Sequence, residues 1–437
     1  MIMTAARERS LVSLSLLCFA LADVRDGLGP FLGVYLQQCG WTPDAIGYAM
    51  TLGGLVAVGS APLLGALTDA TRHKRLCMAV VVLGLVLAAG SVFLHPVPWL
   101  VGMSQLGQGV MGAAVAPLLS GLTLGMVGQA GLPARLGRNE AWNHAGNATS
   151  AVLGGLVGWF CGLAGVFLVM AGMGVLALLA VRGMDPACID HNVARGLEAE
   201  PQGHAAHEVR TEGCLASSFR LLLGNRALFC VGLILLFFHL GNAAMLPLLG
   251  QSAVARFDVN PAVYTACTVV LAQLVMVGAA LWTARLAARR GYGPALFCAL
   301  LVLPVRGCIA GFWHSPWSIV PVQLLDGMGA GVLGVVTPGV VAVLLRGSGH
   351  VNLGLGMVMT MQGIGAAFST TWGGLFAQYA GYSAAFLALA AAPCVALLCL
   401  LRGLRRLPAL RRALARQGGG NPSGEAAARP LDSARPD

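Results

Sequence analysis

Asp23, Arg25 and Asp26 stand inside the stretch 11–37, which is otherwise apolar and long enough to cross a bilayer. An unpaired charge at the bilayer centre costs about 2.5–3.5 kcal/mol even on insertion scales, so such residues face a polar interior and do work there. On a helix of 3.6 residues per turn, Asp23 and Asp26 lie about 60° apart while Arg25 points about 200° away from Asp23. The two carboxylates share a face, and the arginine needs a partner on another segment. Proton transfer requires acids whose ionisation is shifted by burial and neighbours, which makes Asp23 and Asp26 candidates for proton coupling. Arg25 is then a tuning charge or an anion contact.

The other polar residues inside apolar stretches are few. They are Gln105 and Gln108, then Asn143, His144 and Asn147, then His239 and Asn242, and finally Gln273, Arg306, Asp326 and Gln362. Asp326 joins the coupling candidates. Arg25, Gln105, Gln108, His239, Asn242 and Arg306 are the candidates for solute binding. An intramembrane amide also serves as interhelical glue, and either arginine can close a structural ion pair with a carboxylate.

The segments that must position these groups are readable from hydropathy. Of the 437 residues 57% are hydrophobic and 10% charged, with 60 glycines, against about 25% charged in a soluble protein. A hydrocarbon core of about 30 Å takes about 20 apolar residues per helix. Stretches of that length fall at 11–37, 44–68, 76–94, 98–127, 140–161 and 163–182, then at 226–250, 261–285, 294–312, 316–345, 353–378 and 382–402. The fold expected is an all-α integral membrane protein of 12 transmembrane helices in two six-helix bundles. The bundles are 1–182 and 219–402, with a polar linker at 183–218 and a disordered basic tail at 403–437. The first span follows Arg7 and Arg9 as a signal sequence would, but apolar character resumes at Leu28, so an uncleaved span is expected.

Net charge is +10, yet the basic residues sit in short runs between apolar stretches, as topology-setting loops do, and not in a nucleic-acid patch. With the amino terminus inside, Arg72 to Arg75, Arg135, Arg138, Arg285 to Arg290 and Arg346 all fall in cytoplasmic loops, and both termini are cytoplasmic. Trp41, Trp99, Trp313 and Trp317 fall at the opposite helix ends as an interfacial belt. The twelve cysteines are scattered, most of them inside apolar stretches, without metal-like spacing. The linker carries His191, His204 and His207 beside Glu208, read as incidental histidines of a polar linker and not as a metal site.

The halves repeat. Gly154-Gly155-Leu156, Gly162 and Phe167 match Gly373-Gly374-Leu375, Gly381 and Phe386 at an offset of 219 residues, which also sets Asp23 opposite Asn242. Gln105-Leu106 and Gly109 match Gln323-Leu324 and Gly327 at nearly the same offset. Repeated membrane halves are the trace of alternating-access transporters, whose solute site lies near the midplane between repeats.

The second span runs into GALTDATRHKR, and here the chain resembles the major facilitator superfamily, whose corresponding loop reads Gly-x-x-x-Asp-Arg-x-Gly-Arg-Arg. Gly65, Asp69, Lys74 and Arg75 fit, while Ala70 and Arg72 replace the usual arginine and glycine. The resemblance implies a cytoplasmic latch built on Gly65, Asp69, Arg72, Lys74, Arg75 and Glu140, and a cavity lined by the first, fourth, seventh and tenth helices. Proton-coupled exporters of that superfamily have an arginine where this chain has Gln105, and the drug-antiporter Gly-Pro pair of the fifth helix is missing. The reading is a bacterial inner-membrane secondary transporter, expected as a monomer, that exports a small organic solute against protons. Movement of an anionic metabolite or siderophore, with Arg25 and Arg306 as anion contacts, is the alternative. No cofactor, metal, nucleic-acid partner or enzymatic reaction is expected, and a channel or membrane enzyme is the remote alternative. The chain carries no nucleotide-binding Gly-x-x-x-x-Gly-Lys loop.

Overall fold

The computed structural model describes residues 2–191, 193–195, 224–346 and 351–415. His204, His207 and Glu208 lie outside the described residues. Twelve long helical segments form two bundles of six. The first bundle has α1 (2–38), α2 (Pro43–Ala70), α3 (Lys74–Leu94), α4 (98–127), α5 (129–161) and α6 (Ala164–Gly183). The second has α7 (226–256), α8 (Pro261–Arg290), α9 (Gly293–Phe312), α10 (Ile319–Leu344), α11 (351–380) and α12 (382–406). The first helix of the first bundle, α1, begins and the last of the second, α12, ends on one face of the assembly, called the termini side. The other face is called the far side.

Glycine makes the tight corners. Gly128 (φ 70°) separates α4 from α5, while Gly162 (φ 73°) and Gly381 (φ 85°) turn the chain at equivalent points of the two repeats. A positive φ of this kind is strained for any residue with a Cβ.

Both first helices of the repeats are interrupted at one level. In α1 the helix Ile2–Ala22 passes into a π-helical turn, Asp23–Gly27, before Leu28–Gln38. Pro30 explains the widened turn, because its ring cannot donate to the carbonyl of residue 26 and pushes against it. In α7 the helices Arg226–Asn242 and Met245–Arg256 are divided at the same repeat position, upstream of Pro247. Glycine lets a neighbour close on each interruption. A side chain at Gly146 of α5 would strike the Phe19 carbonyl, and one at Gly365 of α11 the Leu236 carbonyl.

Each bundle has its own apolar core. Leu14, Leu17, Met78, Leu85, Leu118 and Leu122 are buried in the first, and Leu228, Phe238, Leu300, Val332 and Val336 in the second. The bundles meet toward the far side. Thr51 of α2 bonds the Ala367 carbonyl at 2.7 Å and packs its hydroxyl on those of Thr370 (2.8 Å) and Thr371 (2.7 Å) in α11. Nearby, Gln37 donates to the Tyr382 hydroxyl at 2.9 Å, and Gly155 and Gly158 of α5 face Ala266 and Ala262 of α8. Toward the termini side Gly59, Gly65 and Gly356 have open space beside them, and Leu63 and Leu67 are exposed. Among the described residues the contacts of Thr51, Gln37, Gly155 and Gly158 close the two bundles on one another toward the far side.

Three sequence boundaries are corrected. The fifth helix begins at 129 and not 140, because the guanidinium of Arg135 bonds Asn139 Oδ1, Ser15 Oγ and the Leu11 carbonyl, and Asn139 bonds Thr123. That buried network carries the helix beyond the apolar run. The start of the linker is folded, with short 3-10 turns at Pro186–Cys188 and Val193–Arg195, and with Ile189 and Ala194 buried against Gly125. The tail is helical at first, since α13 (Pro408–Leu414) buries Leu410 and Leu414 on the second core.

Gly47 lies against the Thr370 carbonyl, where a Cβ has no room. Gly47→Leu is expected to disfavour the closed far side by the cost of overpacking, about 1–3 kcal/mol. In a cysteine-free background, labelling of Ala367→Cys by an impermeant maleimide from the far side should then rise severalfold. Unchanged labelling would contradict the seal described.

Candidate functional site

The π-helical turn of α1 sets the first half of the site. Asp23 is buried, and Ser150 of α5, one turn beyond Gly146, is close enough to act on its carboxyl. Neither the Ser150 hydroxyl nor Oδ2 of Asp23 completes a hydrogen bond, however. Among the described residues no basic side chain forms an ion pair with Asp23. Arg25 is exposed, so the turn separates it from the acid as their angular spacing requires. Asp26 lies in the same turn, and its side chain is outside what the structure describes.

The second half holds a charged cluster. Arg306 of α9 is 0% exposed, and its Nη1 bonds Oδ1 of Asn242, at the break in α7, and Oδ1 of Asp326 in α10 at 2.8 Å. Asp326 retains 13% of its side-chain surface, so in this arrangement the acid is the exposed member of the pair and the base is enclosed. Nε and Nη2 of Arg306 are buried without partners. One turn before Asp326, Gln323 is also fully buried with both amide atoms unbonded. Unpaired buried polar atoms are rare and costly, about 1–3 kcal/mol each, and their concentration here makes this cluster a candidate site. His239, one turn before Asn242, ties Nδ1 to the Leu235 carbonyl at 2.9 Å.

The repeat relates the halves residue by residue. Gln105-Leu106-Gly107-Gln108-Gly109 of α4 corresponds to Gln323-Leu324-Leu325-Asp326-Gly327 of α10, so Asp326 stands where the first half has Gln108. Asp23 stands where the second half has Asn242. At each of these two levels one half carries the acid and the other an amide. Gln105 is buried against Gly53, and Gln108 is half-buried. A second amide contact crosses between bundles, where His144 Nδ1 lies 3.2 Å from Oε1 of Gln273.

A family model described as Major Facilitator Superfamily matches residues 14–305. The chain belongs to that superfamily. An uncharacterized MFS-type transporter of Mycobacterium tuberculosis (strain H37Rv) is 40% identical over 384 residues, covering 87% of this chain and 89% of the relative. Among solved structures, the nucleoside transporter NupG superposes with a TM-score of 0.70 at 14% identity, covering 91% of this chain and 98% of that one. A bacterial homologue of the human lysosomal transporter Spinster, inward-facing and unoccupied, gives 0.70 at 12% identity, covering 94% and 98%. At such identities these likenesses show the MFS fold alone.

Within this MFS transporter the loop after α2 is organised by Lys74. It is buried at 2% exposure, with Nζ bonding the Thr68 and Thr71 carbonyls that end α2. Arg75 reaches the Val181 and Arg182 carbonyls at the end of α6 in its own bundle, and Arg72 and Glu140 are exposed. Gly65 faces open space, and the side chain of Asp69 is outside the described residues. Sequence reasoning passed over three features. Ser150 gave no signal, because serine in a glycine-rich helix is ordinary. Gln323 was visible only as the repeat partner of Gln105. Arg135 looked like one more topology-setting arginine.

The two acids should respond differently to neutralisation. Asp326→Asn leaves the buried Arg306 charge without its counter-ion, a loss of about 3–5 kcal/mol for breaking a buried pair. Asp23→Asn removes no ion pair and should alter stability little. Thermal unfolding of the purified variants in detergent checks this, and equal losses would contradict the pairing.

Proposed function

We propose that this MFS transporter moves a small polar organic solute by alternating access, driven by protons, with Asp23 as the coupling acid. One observation carries the reading: Asp23 is a buried carboxyl at mid-helix with an unbonded oxygen and no cation partner among the described residues. An uncompensated carboxylate charge is expensive at that depth, while the neutral acid is not. Cycling between the two forms, as water reaches the group first from one side and then from the other, links proton movement to alternation. Asp326, Arg306, Asn242 and Gln323 across the cavity supply donors and acceptors for the solute. In this reading the protein lies in the inner membrane with both termini cytoplasmic, and an exported solute loads from the termini side.

The unbonded Nε and Nη2 of Arg306 favour a second reading, in which the solute carries a carboxylate or similar anion that bonds these groups in an arrangement of the bundles that uncovers them. Charge-assisted hydrogen bonds are worth about 1.5–3 kcal/mol. Arg306→Gln should then weaken an anionic solute about tenfold or more while sparing a neutral one.

Reconstitution in proteoliposomes with a panel of radiolabelled metabolites, nucleosides and short peptides included, tests the proposal. An imposed pH gradient should drive accumulation by the wild type. Asp23→Asn should lose that accumulation, by about an order of magnitude or more, and keep solute exchange at equal pH. Flux indifferent to the gradient, or an Asp23→Asn variant still driven by it, would remove the proposed coupling.

A further inference from the structure

On the termini side, away from Asp23 and Arg306, a surface pocket of about 320 Å³ opens where α1, α3 and α6 emerge. Its charged lining comes from three distant parts of the chain: Arg9, Arg75, Arg182 and Asp185. A topology signal requires only that arginines lie on the right side of the membrane. It does not require residues 9, 75 and 182 to converge on one concavity.

The donors there are largely uncommitted. Arg75 spends Nε and Nη2 on the Val181 and Arg182 carbonyls, which fixes its guanidinium at the pocket wall and leaves Nη1. Among the described residues Arg9 and Arg182 have no hydrogen bond or ion pair from their side chains. Asp185 is turned to its own 3-10 turn, with Oδ1 accepting from the Ala187 amide and its own amide donating to Ser10 Oγ. Three guanidinium groups therefore line the pocket against one carboxylate, one of whose oxygens is taken by the Ala187 amide. Planar forked donors of this kind suit phosphate oxygens.

The helix surfaces leading from the pocket point to the source of the phosphate. On α3, Leu76, Val80, Leu83 and Leu87 are exposed at helical spacing, beginning beside Arg75. On α6, Val175 and Leu179 are exposed, with Leu179 one turn from Arg182. The apolar stripes descend along membrane-spanning helices from a cationic head, matching a phosphate group with acyl chains below it. Basic pockets at the cytoplasmic ends of membrane helices hold anionic headgroups by this division of labour.

We propose that this pocket binds the headgroup of an anionic phospholipid, with Arg9, Arg75 and Arg182 on the phosphate and the α3 and α6 faces on the acyl chains. Native mass spectrometry of the full chain in detergent, titrated with phosphatidylglycerol or phosphatidylcholine, tests it. Phosphatidylglycerol should bind in preference. The double variant Arg9→Gln/Arg182→Gln should lose about fivefold in affinity per arginine, as expected from about 1 kcal/mol per basic residue near an anionic surface. Arg9→Lys/Arg182→Lys should retain most of the binding and guard against a folding defect. Arg138→Gln, an exposed arginine outside the pocket, should leave it unchanged. Equal affinity for the two lipids, or an undiminished double glutamine variant, would overturn the site. Displacement of phosphatidylglycerol by millimolar inorganic phosphate would overturn the lipid assignment in favour of a soluble anion.

Discussion

A guanidinium inside the hydrocarbon layer must carry its counter-charge with it, and Arg306 is the group that imposes this condition here. Its pairing with Asp326 at 2.8 Å, together with its bond to Asn242, ties α9 to α10 and to the break in α7. Replacing such a pair with apolar residues can be neutral for stability, whereas breaking it is not. The second bundle is therefore assembled around a charge that packing alone does not require. That is the pattern of a site kept for work.

In the first bundle the acid at the same repeat level, Asp23, forms no ion pair with a cation among the described residues. Asp23 sits in a turn widened by Pro30, with α5 drawn close through Gly146. The repeat makes the contrast interpretable, since acid and amide exchange places between the halves at two levels. One half offers an acid locked to arginine and the other an acid with an open oxygen. In the proposed mechanism a solute engages the locked side and a proton the open side, and both bias one motion of the bundles, which meet at the far side through Thr51, Thr370 and Thr371.

Most of the fold was legible because membrane crossing imposes a length and a polarity that hydropathy registers directly. Twelve spans, two bundles and the glycine turns at Gly162 and Gly381 follow from apolar runs and the internal repeat. The errors cluster where polar residues continue a helix beyond the bilayer. Arg135 and Asn139 satisfy one another and the neighbouring helices, which no hydropathy profile registers, and α13 was masked by its arginines. At the site, Asp23, Arg306 and Asp326 declared themselves by being charged among apolar residues. Which acid pairs with Arg306 did not follow from sequence, because α9 and α10 meet through packing that no local pattern encodes. Ser150 and Gln323 stayed silent for the same reason: an uncharged polar residue acquires meaning only from what surrounds it.

In the proposed mechanism, protonation of Asp23 biases the two bundles between their arrangements. Spin labels placed at the termini-side ends of α2 and α11, with distances measured across a pH series in lipid nanodiscs, test it without knowledge of the solute. The account predicts a distance distribution that shifts with pH in the wild type and is fixed in Asp23→Asn, while Asp326→Asn still responds. A pH-dependent shift that survives unchanged in Asp23→Asn would contradict it.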